Sequence, residues 1–181
     1  MKRALLVIDV QNEFFSGSLR VTYPENSFEN IRATMDVARE NEIPIIVIQH
    51  TARFGSDFKK GTEKWALHER IKSFPYDHYI EKRYPGAFTG TSLEDLLKEL
   101  EIETIAITGY MTNMCCDTTS RQAYHLNYKV EFLADATGTF DHKNKAGFIS
   151  AKDLHEAALI TQQTQFSQVL TLAEWKKKIA E

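Results

Sequence analysis

An acid, a base and a thiol each follow a segment with the pattern of a β-strand. Asp9 closes one apolar run, Lys82 follows a shorter one, and Cys115 lies one turn beyond a third. Because the carboxyl ends of parallel strands share one edge of a sheet, residues this far apart in sequence can converge there. A thiol beside a carboxylate and a lysine is typical of covalent catalysis, in which sulfur attacks a carbonyl carbon and the carboxylate moves protons.

Each of the three residues also has a purely structural interpretation. Cys115 lies where a strand hands over to a helix, so the helix dipole would favour its thiolate, but a cysteine is equally suited to filling a core. Asp9 could cap a turn, and Lys82 could be an ordinary surface lysine. Cys116, its neighbour, is interpreted as a packing residue. The catalytic interpretation therefore depends on further motifs.

The chain alternates between strand-like and helix-like segments. The apolar runs at residues 3–9 and 45–48 are typical of strands buried on both faces. The predicted strands are residues 3–9, 45–48, 78–81, 103–108, 129–134 and 167–170. One helix is predicted from the apolar stripe of Phe28, Ile31, Met35 and Ala38, and three more over residues 93–100, 115–126 and 150–163. Capping boxes begin at Thr91 and Thr171. This alternation predicts an α/β fold: a single-domain, doubly wound, mostly parallel sheet of about six strands flanked by helices.

Composition indicates one compact domain spanning residues 1–181. The chain has 181 residues, of which 43% are hydrophobic, and a net charge of −3. A charge of this sign gives no basic face for nucleic acid, and no apolar run approaches membrane-spanning length. Two adjacent cysteines cannot form a disulfide framework, so a cytoplasmic location is expected.

Four sequence motifs, in this order and spacing, resemble the isochorismatase-like cysteine hydrolase family. They begin with Leu-Val-Ile-Asp9 and include Gly109-Tyr-Met-Thr112-Asn-Met-Cys115. The matching segments are residues 6–14, 82–91, 109–115 and 135–136. That family includes nicotinamidases and N-carbamoylsarcosine amidases, and its Asp-Lys-Cys triad maps onto Asp9, Lys82 and Cys115.

The resemblance implies a cofactor-independent hydrolase that cleaves the C–N bond of a small amide, carbamoyl or ureido compound through a thioester. It implies an oxyanion hole made by the backbone N–H groups of Met111 and Cys115. It also implies a cis peptide bond between Tyr110 and Met111. Members of the family are usually dimers or tetramers, so a homo-oligomer is expected.

Several side chains near these motifs are candidates for binding the substrate. They are Gln11, Phe14, His50, Tyr84, Phe88 and Tyr110. The aromatic members could equally belong to the core. His142 is a further candidate for a polar contact, whereas a lone histidine such as His155 is more often a hydrogen-bonded structural residue.

No metal ligand set is evident in the sequence. Metal-dependent nicotinamidases carry an Asp-x-His cluster after the second strand, where this chain has Gln49-His50-Thr51. We therefore expect neither a metal nor another cofactor, and nicotinamide is disfavoured as substrate.

Alternative functions stay open at this point. Vinyl-ether hydrolysis of the isochorismatase type is one, although that lineage generally dispenses with the cysteine. A non-catalytic binding or assembly protein that retains the fold is another, and a redox role for Cys115 and Cys116 is the most remote.

Overall fold

Six parallel strands form one sheet in the computed structural model, which describes residues 2–55 and 57–180. The strands of this sheet are β1 (Arg3–Ile8), β2 (Ile45–His50), β3 (His78–Lys82), β4 (Thr104–Tyr110), β5 (Lys129–Gly138) and β8 (Gln168–Leu170); β6 (His142–Asn144) and β7 (Gly147–Ile149) form a separate hairpin. The helices are α1 (Glu13–Ser16), α2 (Ser27–Glu40), α3 (Glu69–Lys72), α4 (Leu93–Glu99), α5 (Asp117–His125), α6 (Ala151–Thr161) and α7 (Leu172–Ile179), with π-helical turns at Thr112–Cys116 and Gln162–Phe166. Residues 1, 56 and 181 of the expected domain lie outside the described residues.

The sheet has the strand order β3-β2-β1-β4-β5-β8, and all its neighbours are parallel. The chain begins at the centre, runs outwards through β2 and β3, and returns to place β4 on the other side of β1. Ile8 of β1 pairs with Gly109 of β4 at the carboxyl end. The strand order therefore reverses between β1 and β4, where open α/β sheets form their ligand crevice.

Side chains on alternate sides of β1 belong to two separate cores. Leu5 and Val7 pack in the layer that contains Met35 of α2 and Trp175 of α7. Residues Leu6 and Ile8, together with Leu97 of α4 and Ala123 of α5, form the opposite layer. A strand covered on both faces needs apolar residues at every position, which explains the uninterrupted apolar run. The expected α/β fold is confirmed.

Local structure differs from the sequence prediction at three places. Thr171 forms the predicted capping box with Glu174, whereas α4 begins at Leu93 after Ser92, and Thr91 Oγ1 accepts a hydrogen bond from the Leu93 N–H. The helix predicted from residue 115 is instead a π-helical turn followed by α5. An antiparallel hairpin of β6 and β7 was not predicted, because its three-residue strands are too short for a periodic signal. None of the helices in residues 2–55 and 57–180 is long and apolar enough to cross a membrane.

Candidate active site

Asp9 lies immediately after β1 in a left-handed backbone conformation, with φ of +53°. Few residues other than glycine adopt this conformation, although aspartate does so more readily than most. The Asp9 N–H donates to the Ile48 carbonyl (2.8 Å), and the Asp9 carbonyl accepts from the Gln11 N–H (2.8 Å). The backbone thus turns away from the strand while the carboxylate stays buried, only 1% exposed.

Lys82, the last residue of β3, connects the other two members of the predicted triad. Its Nζ lies 2.7 Å from Oδ2 of Asp9 and donates to Sγ of Cys115 at 3.2 Å. It also donates to the Tyr84 carbonyl at 3.2 Å. A hydrogen bond from the Thr51 N–H to the Lys82 carbonyl (2.8 Å) fixes the end of the strand. The structure therefore brings Asp9, Lys82 and Cys115 together at the carboxyl edge of the sheet.

Cys115 is positioned by the π-helical turn that follows β4. The Met111 carbonyl accepts hydrogen bonds from the N–H groups of both Met114 (3.1 Å) and Cys116 (3.2 Å), which closes the turn. Cys115 is partly buried and Cys116 is fully buried, and both are free thiols. Cys116 packs in the layer under α5, in agreement with its interpretation as a packing residue.

The electrostatic environment favours a neutral thiol and a charged lysine. Burial raises the pKa of Cys115, the carboxylate of Asp9 raises it further, and the ammonium of Lys82 only partly opposes them. Burial alone would lower the pKa of Lys82, but the carboxylate of Asp9 and the hydrogen bonds to Asp9 and Cys115 outweigh it, so its pKa is raised. The pKa shifts and the distance between the charges therefore favour an Asp9–Lys82 ion pair beside a protonated Cys115.

His50, the last residue of β2, adds a neutral imidazole to this group. Its Nδ1 lies 3.2 Å from Nζ of Lys82. Burial lowers the pKa of His50, the charge of Lys82 lowers it further, and Asp9 opposes both. Because an ammonium group can only donate, the hydrogen-bond network assigns Nδ1 as acceptor and places the proton on Nε2. His50 thus offers one N–H donor next to the triad.

A buried histidine of α6 holds the turn that carries the nucleophile. Nδ1 of His155 lies 2.8 Å from Oγ1 of Thr112, and the ring also hydrogen-bonds the Ala134 carbonyl of β5. Burial lowers the pKa of His155 to about 4, and the bond to Ala134 only partly opposes this. The ring is therefore neutral, and because its other nitrogen donates to the Ala134 carbonyl, Nδ1 accepts a hydrogen bond from the Thr112 hydroxyl. The sequence indicates a hydrogen-bonded histidine here but gives no signal of its partner 43 residues away.

The Tyr110–Met111 peptide bond is cis, as the resemblance implied. Met111 is buried, 7% exposed, directly before the turn that carries Cys115. The assignment of the backbone N–H groups of Met111 and Cys115 to an oxyanion hole stays a prediction.

Three of the expected substrate-binding residues, Gln11, Phe14 and Tyr110, are buried and contact other protein groups. Gln11 is fully buried: its amide donates to the His50 and Trp65 carbonyls and accepts from the His50 N–H, so it holds the end of β2 in place. Phe14 and Tyr110 are buried in the core, with their ring centroids 5.4 Å apart.

The remaining candidates differ in their exposure and in their distance from the triad. Tyr84 is 40% exposed, and its carbonyl accepts a hydrogen bond from Nζ of Lys82. Phe88 packs against Tyr128 in the layer under α4 and α5, with the ring centroids 6.1 Å apart. His142 stacks on Phe140, with its Nδ1 2.9 Å from the Phe140 carbonyl. Of the predicted substrate contacts, His50 and Tyr84 are those that touch Lys82.

Within the part of the chain that the structure describes, no group of three or more His, Cys, Asp or Glu side chains is arranged to hold a metal ion. The expectation that the protein works without a metal or another cofactor stays a prediction.

A doubly wound sheet with a buried acid, lysine and thiol at its switch point defines an isochorismatase-type α/β hydrolase, and comparisons with known proteins agree. The isochorismatase domain family matches residues 3–174. The isochorismatase family protein YrdC of Bacillus subtilis is 32% identical over 94% of this chain and 92% of its own length. Nicotinamidase 3 of Arabidopsis thaliana is 27% identical over 97% of this chain and 88% of its own.

A crystal structure of an isochorismatase-class protein from Burkholderia xenovorans LB400 is also similar. It superposes with a TM-score of 0.95 and 41% identity, covering 98% of this chain and 87% of that one. This chain therefore belongs to the isochorismatase family and is a hydrolase of that family.

Proposed function

We propose that this protein is a cofactor-independent cysteine hydrolase that cleaves the C–N bond of a small amide, carbamoyl or ureido compound. The observation that carries the proposal is the position of Lys82, whose Nζ lies 2.7 Å from Asp9 and 3.2 Å from Cys115. This arrangement places a proton acceptor and a nucleophile on either side of one fixed positive charge. The similarity to a nicotinamidase, which acts on an amide, supports the same bond type.

The acylation half-reaction begins from the neutral thiol. As Sγ of Cys115 bonds to the substrate carbonyl carbon, the thiol proton moves to the carboxylate of Asp9 and the carbonyl oxygen becomes an oxyanion. The oxyanion then collapses, and the C–N bond breaks while Asp9 returns the proton to the departing nitrogen. An amine or ammonia leaves, and a thioester on Cys115 remains.

The deacylation half-reaction uses the same carboxylate. Asp9 takes a proton from water as the water oxygen attacks the thioester carbonyl. The C–S bond breaks, the sulfur recovers its proton from Asp9, and the acid product leaves. Each turnover therefore consumes one water and restores both residues to their starting states.

Lys82 keeps the acid and the thiol in register without transferring a proton. Its raised pKa keeps the ammonium charged throughout, and its N–H groups, shared among Asp9, Cys115, His50 and the Tyr84 carbonyl, hold these groups around it. Backbone N–H groups of Met111 and Cys115 would stabilise the oxyanion. Removal of one such donor typically costs about 2.7–4 kcal/mol of transition-state stabilisation.

We assign the predicted substrate residues by their positions. His50 and Tyr84 would contact the substrate, because they border Lys82 and are not fully buried. We assign a supporting role to Gln11, Phe14 and Tyr110. Each is buried and contacts other protein groups, so they would hold the site in place without touching the substrate. Phe88 would act at a greater distance, through the packing of α4 and α5.

Ammonia release from a panel of small amides and ureido compounds, combined with intact-mass spectrometry of acid-quenched enzyme, tests this function. We expect a transient acyl adduct on Cys115, and a loss of about 10⁴-fold or more in kcat for Cys115→Ala. Cys116→Ala, which changes the buried neighbouring thiol, is the matched control and should keep both signals. Undiminished ammonia release by Cys115→Ala would refute the thioester mechanism.

The same experiment separates the alternatives when a vinyl ether is added to the panel and its hydrolysis is measured as well. Vinyl-ether hydrolysis would proceed without an acyl adduct and would survive the Cys115→Ala substitution. A binding or assembly protein would release no ammonia from any compound and would bind ligands with Cys115 unmodified.

We also propose a homo-oligomer, a dimer or tetramer, in the cytoplasm. Among the described residues, the large hydrophobic side chains that are more than 40% exposed in the single chain include Tyr79, Met114, Phe148 and Ile160. Contact between copies would cover such residues. Sedimentation velocity should then give a mass at least twice that of the chain, and a purely monomeric species would overturn this part of the proposal.

A further inference from the structure

Arg53 follows the end of β2 by three residues and stacks on two aromatic rings near the triad. The guanidinium carbon of Arg53 lies 4.8 Å from the centroid of the Tyr84 ring and 5.5 Å from that of Phe54. Cation–π contacts of this kind hold the plane of a guanidinium group while leaving its N–H edges available. Arg53 is exposed, and Phe54 is 85% exposed, so these edges face solvent-accessible space.

Among residues 2–55 and 57–180, no carboxylate forms an ion pair with Arg53. Nearby basic residues differ in this respect: Lys60 contacts Glu81, and Arg39 of α2 contacts Asp77 at 3.0 Å, whereas Arg83 has neither an ion pair within 4 Å nor a stacking contact among the described residues. An arginine that is ordered by stacking but has no anionic partner is suited to bind an anion from outside the chain.

The contacts of Tyr84 connect Arg53 to the catalytic group. The Tyr84 carbonyl accepts a hydrogen bond from Nζ of Lys82, so the residue that supports Arg53 also touches the triad. The charge of Lys82 is already balanced by Asp9, and the lowered pKa of His50 keeps the imidazole neutral. Arg53 is therefore a cation near this site that both lacks an ion-pair partner among the described residues and is held in place by stacking.

We propose that Arg53, supported by Tyr84, binds a carboxylate of the substrate, so that the enzyme prefers amide or ureido compounds bearing a carboxylate over neutral ones. The planar guanidinium edge matches the two oxygens of a carboxylate. This inference rests on the proposed function for the identity of the site, but it can be tested without turnover.

Alkylation of Cys115 provides that test, because iodoacetate carries a carboxylate and iodoacetamide is its neutral counterpart. The Cys116→Ala background leaves one thiol in the labelled peptide. We expect Arg53→Gln to lower the ratio of the iodoacetate rate to the iodoacetamide rate by about threefold to tenfold, with a smaller effect at high salt. Arg39→Gln removes the same charge at the amino end of β3 and should leave the ratio unchanged.

Turnover provides the second test, using a ureido acid and its neutral amide as a matched pair. We expect Arg53→Gln to raise KM for the acid about tenfold or more while KM for the amide stays within twofold. A labelling ratio unaffected by Arg53→Gln would overturn the inference. If no compound of the amide and ureido panel is hydrolysed but the ratio falls as expected, the carboxylate subsite stands and the proposed amidohydrolase function fails.

Discussion

Nζ of Lys82 and Oδ2 of Asp9 lie 2.7 Å apart, and the two side chains are only 0% and 1% exposed. Removing both charges from water is costly, and their mutual attraction compensates only while both partners are present. Burying this ion pair therefore costs stability at the active site, and the energetic coupling between Asp9 and Lys82 can be measured.

Asp9→Asn and Lys82→Met should each lower the free energy of unfolding by about 3–5 kcal/mol, because each leaves one buried charge without its partner. The double variant contains neither charge and should be more stable than the sum of the single effects predicts, by about 1–3 kcal/mol. Urea unfolding at neutral pH measures all three values. Strictly additive losses would show that the ion pair is not energetically coupled.

Gly109 allows β1 and β4 to approach each other at the site. Its φ is +116°, and a Cβ added there would lie 2.0 Å from the Ile8 carbonyl oxygen. Gly109→Ala should therefore force apart the strands that precede Asp9 and Cys115, with loss of activity and a destabilisation of about 3 kcal/mol or more. Thermal unfolding and alkylation of Cys115 report the two effects.

Gly90→Ala is the matched control for that substitution. Gly90 also has a positive φ, +68°, but no atom lies within 4 Å of an added Cβ. We expect a cost of about 1 kcal/mol from backbone strain alone, with activity retained. Equal effects of the two substitutions would show that close strand approach at Gly109 does not matter.

Sequence patterns predicted the fold, and together with the family resemblance they predicted that the triad residues meet. The apolar run that ends at Asp9 predicts a strand buried on both faces, and parallel strands must share their carboxyl edge. Once Cys115 is placed after a third strand, its approach to Asp9 follows from topology. Lys82 was harder to place, because the alternation in β3 is short and one of its faces is partly exposed.

Contacts that depend on side-chain packing were not accessible from the sequence. No periodicity indicates that His155 reaches Thr112, because the two residues belong to elements that meet only in the folded chain. Gln11 follows Asp9 closely and suggested a substrate contact, yet its amide is directed to backbone groups of His50 and Trp65. The pairing of long-range polar groups is decided by geometry rather than by local propensity.

His155 should make the protein less stable in mild acid. Its pKa is lowered from 6.5 to about 4 by burial, so the unfolded chain binds a proton below pH 6.5 while the folded chain does not. Stability therefore falls as the pH decreases from about 6.5 to about 4, by roughly 3 kcal/mol from this residue, and then levels off. His50, whose pKa is also lowered, adds a contribution of the same sign.

Urea unfolding as a function of pH measures this effect in the wild type and in His155→Gln, which cannot titrate. The variant should be less stable at neutral pH, because the hydrogen bonds to Thr112 and Ala134 are disturbed, but its stability should depend much less on pH. His125→Gln, which removes an exposed histidine from α5, should keep the wild-type pH dependence. Parallel pH profiles for His155→Gln and the wild type would contradict the assignment.

The rate at which iodoacetamide alkylates Cys115 reports thiolate formation, and it should change differently from the rate of amide hydrolysis. Asp9 raises the pKa of Cys115, so Asp9→Asn should lower that pKa and increase the small thiolate fraction beside Lys82, while burial still keeps most of the thiol protonated at neutral pH. Each unit by which the pKa falls gives about tenfold more thiolate at a fixed pH below it. We therefore expect Asp9→Asn to react faster with iodoacetamide at neutral pH, by about tenfold, although it hydrolyses amides more slowly because it lacks a proton acceptor.

Lys82→Met should change the reactivity in the opposite direction, because Lys82 lowers the pKa of Cys115. Its alkylation should be slower than in the wild type, and amide hydrolysis should again be lost. Glu81→Gln, which removes the neighbouring carboxylate that pairs with Lys60, is the control and should leave the alkylation rate unchanged. Slower alkylation in both Asp9→Asn and Lys82→Met would mean that Asp9 already acts as the base in the free enzyme, with thiolate formed only as the proton is transferred.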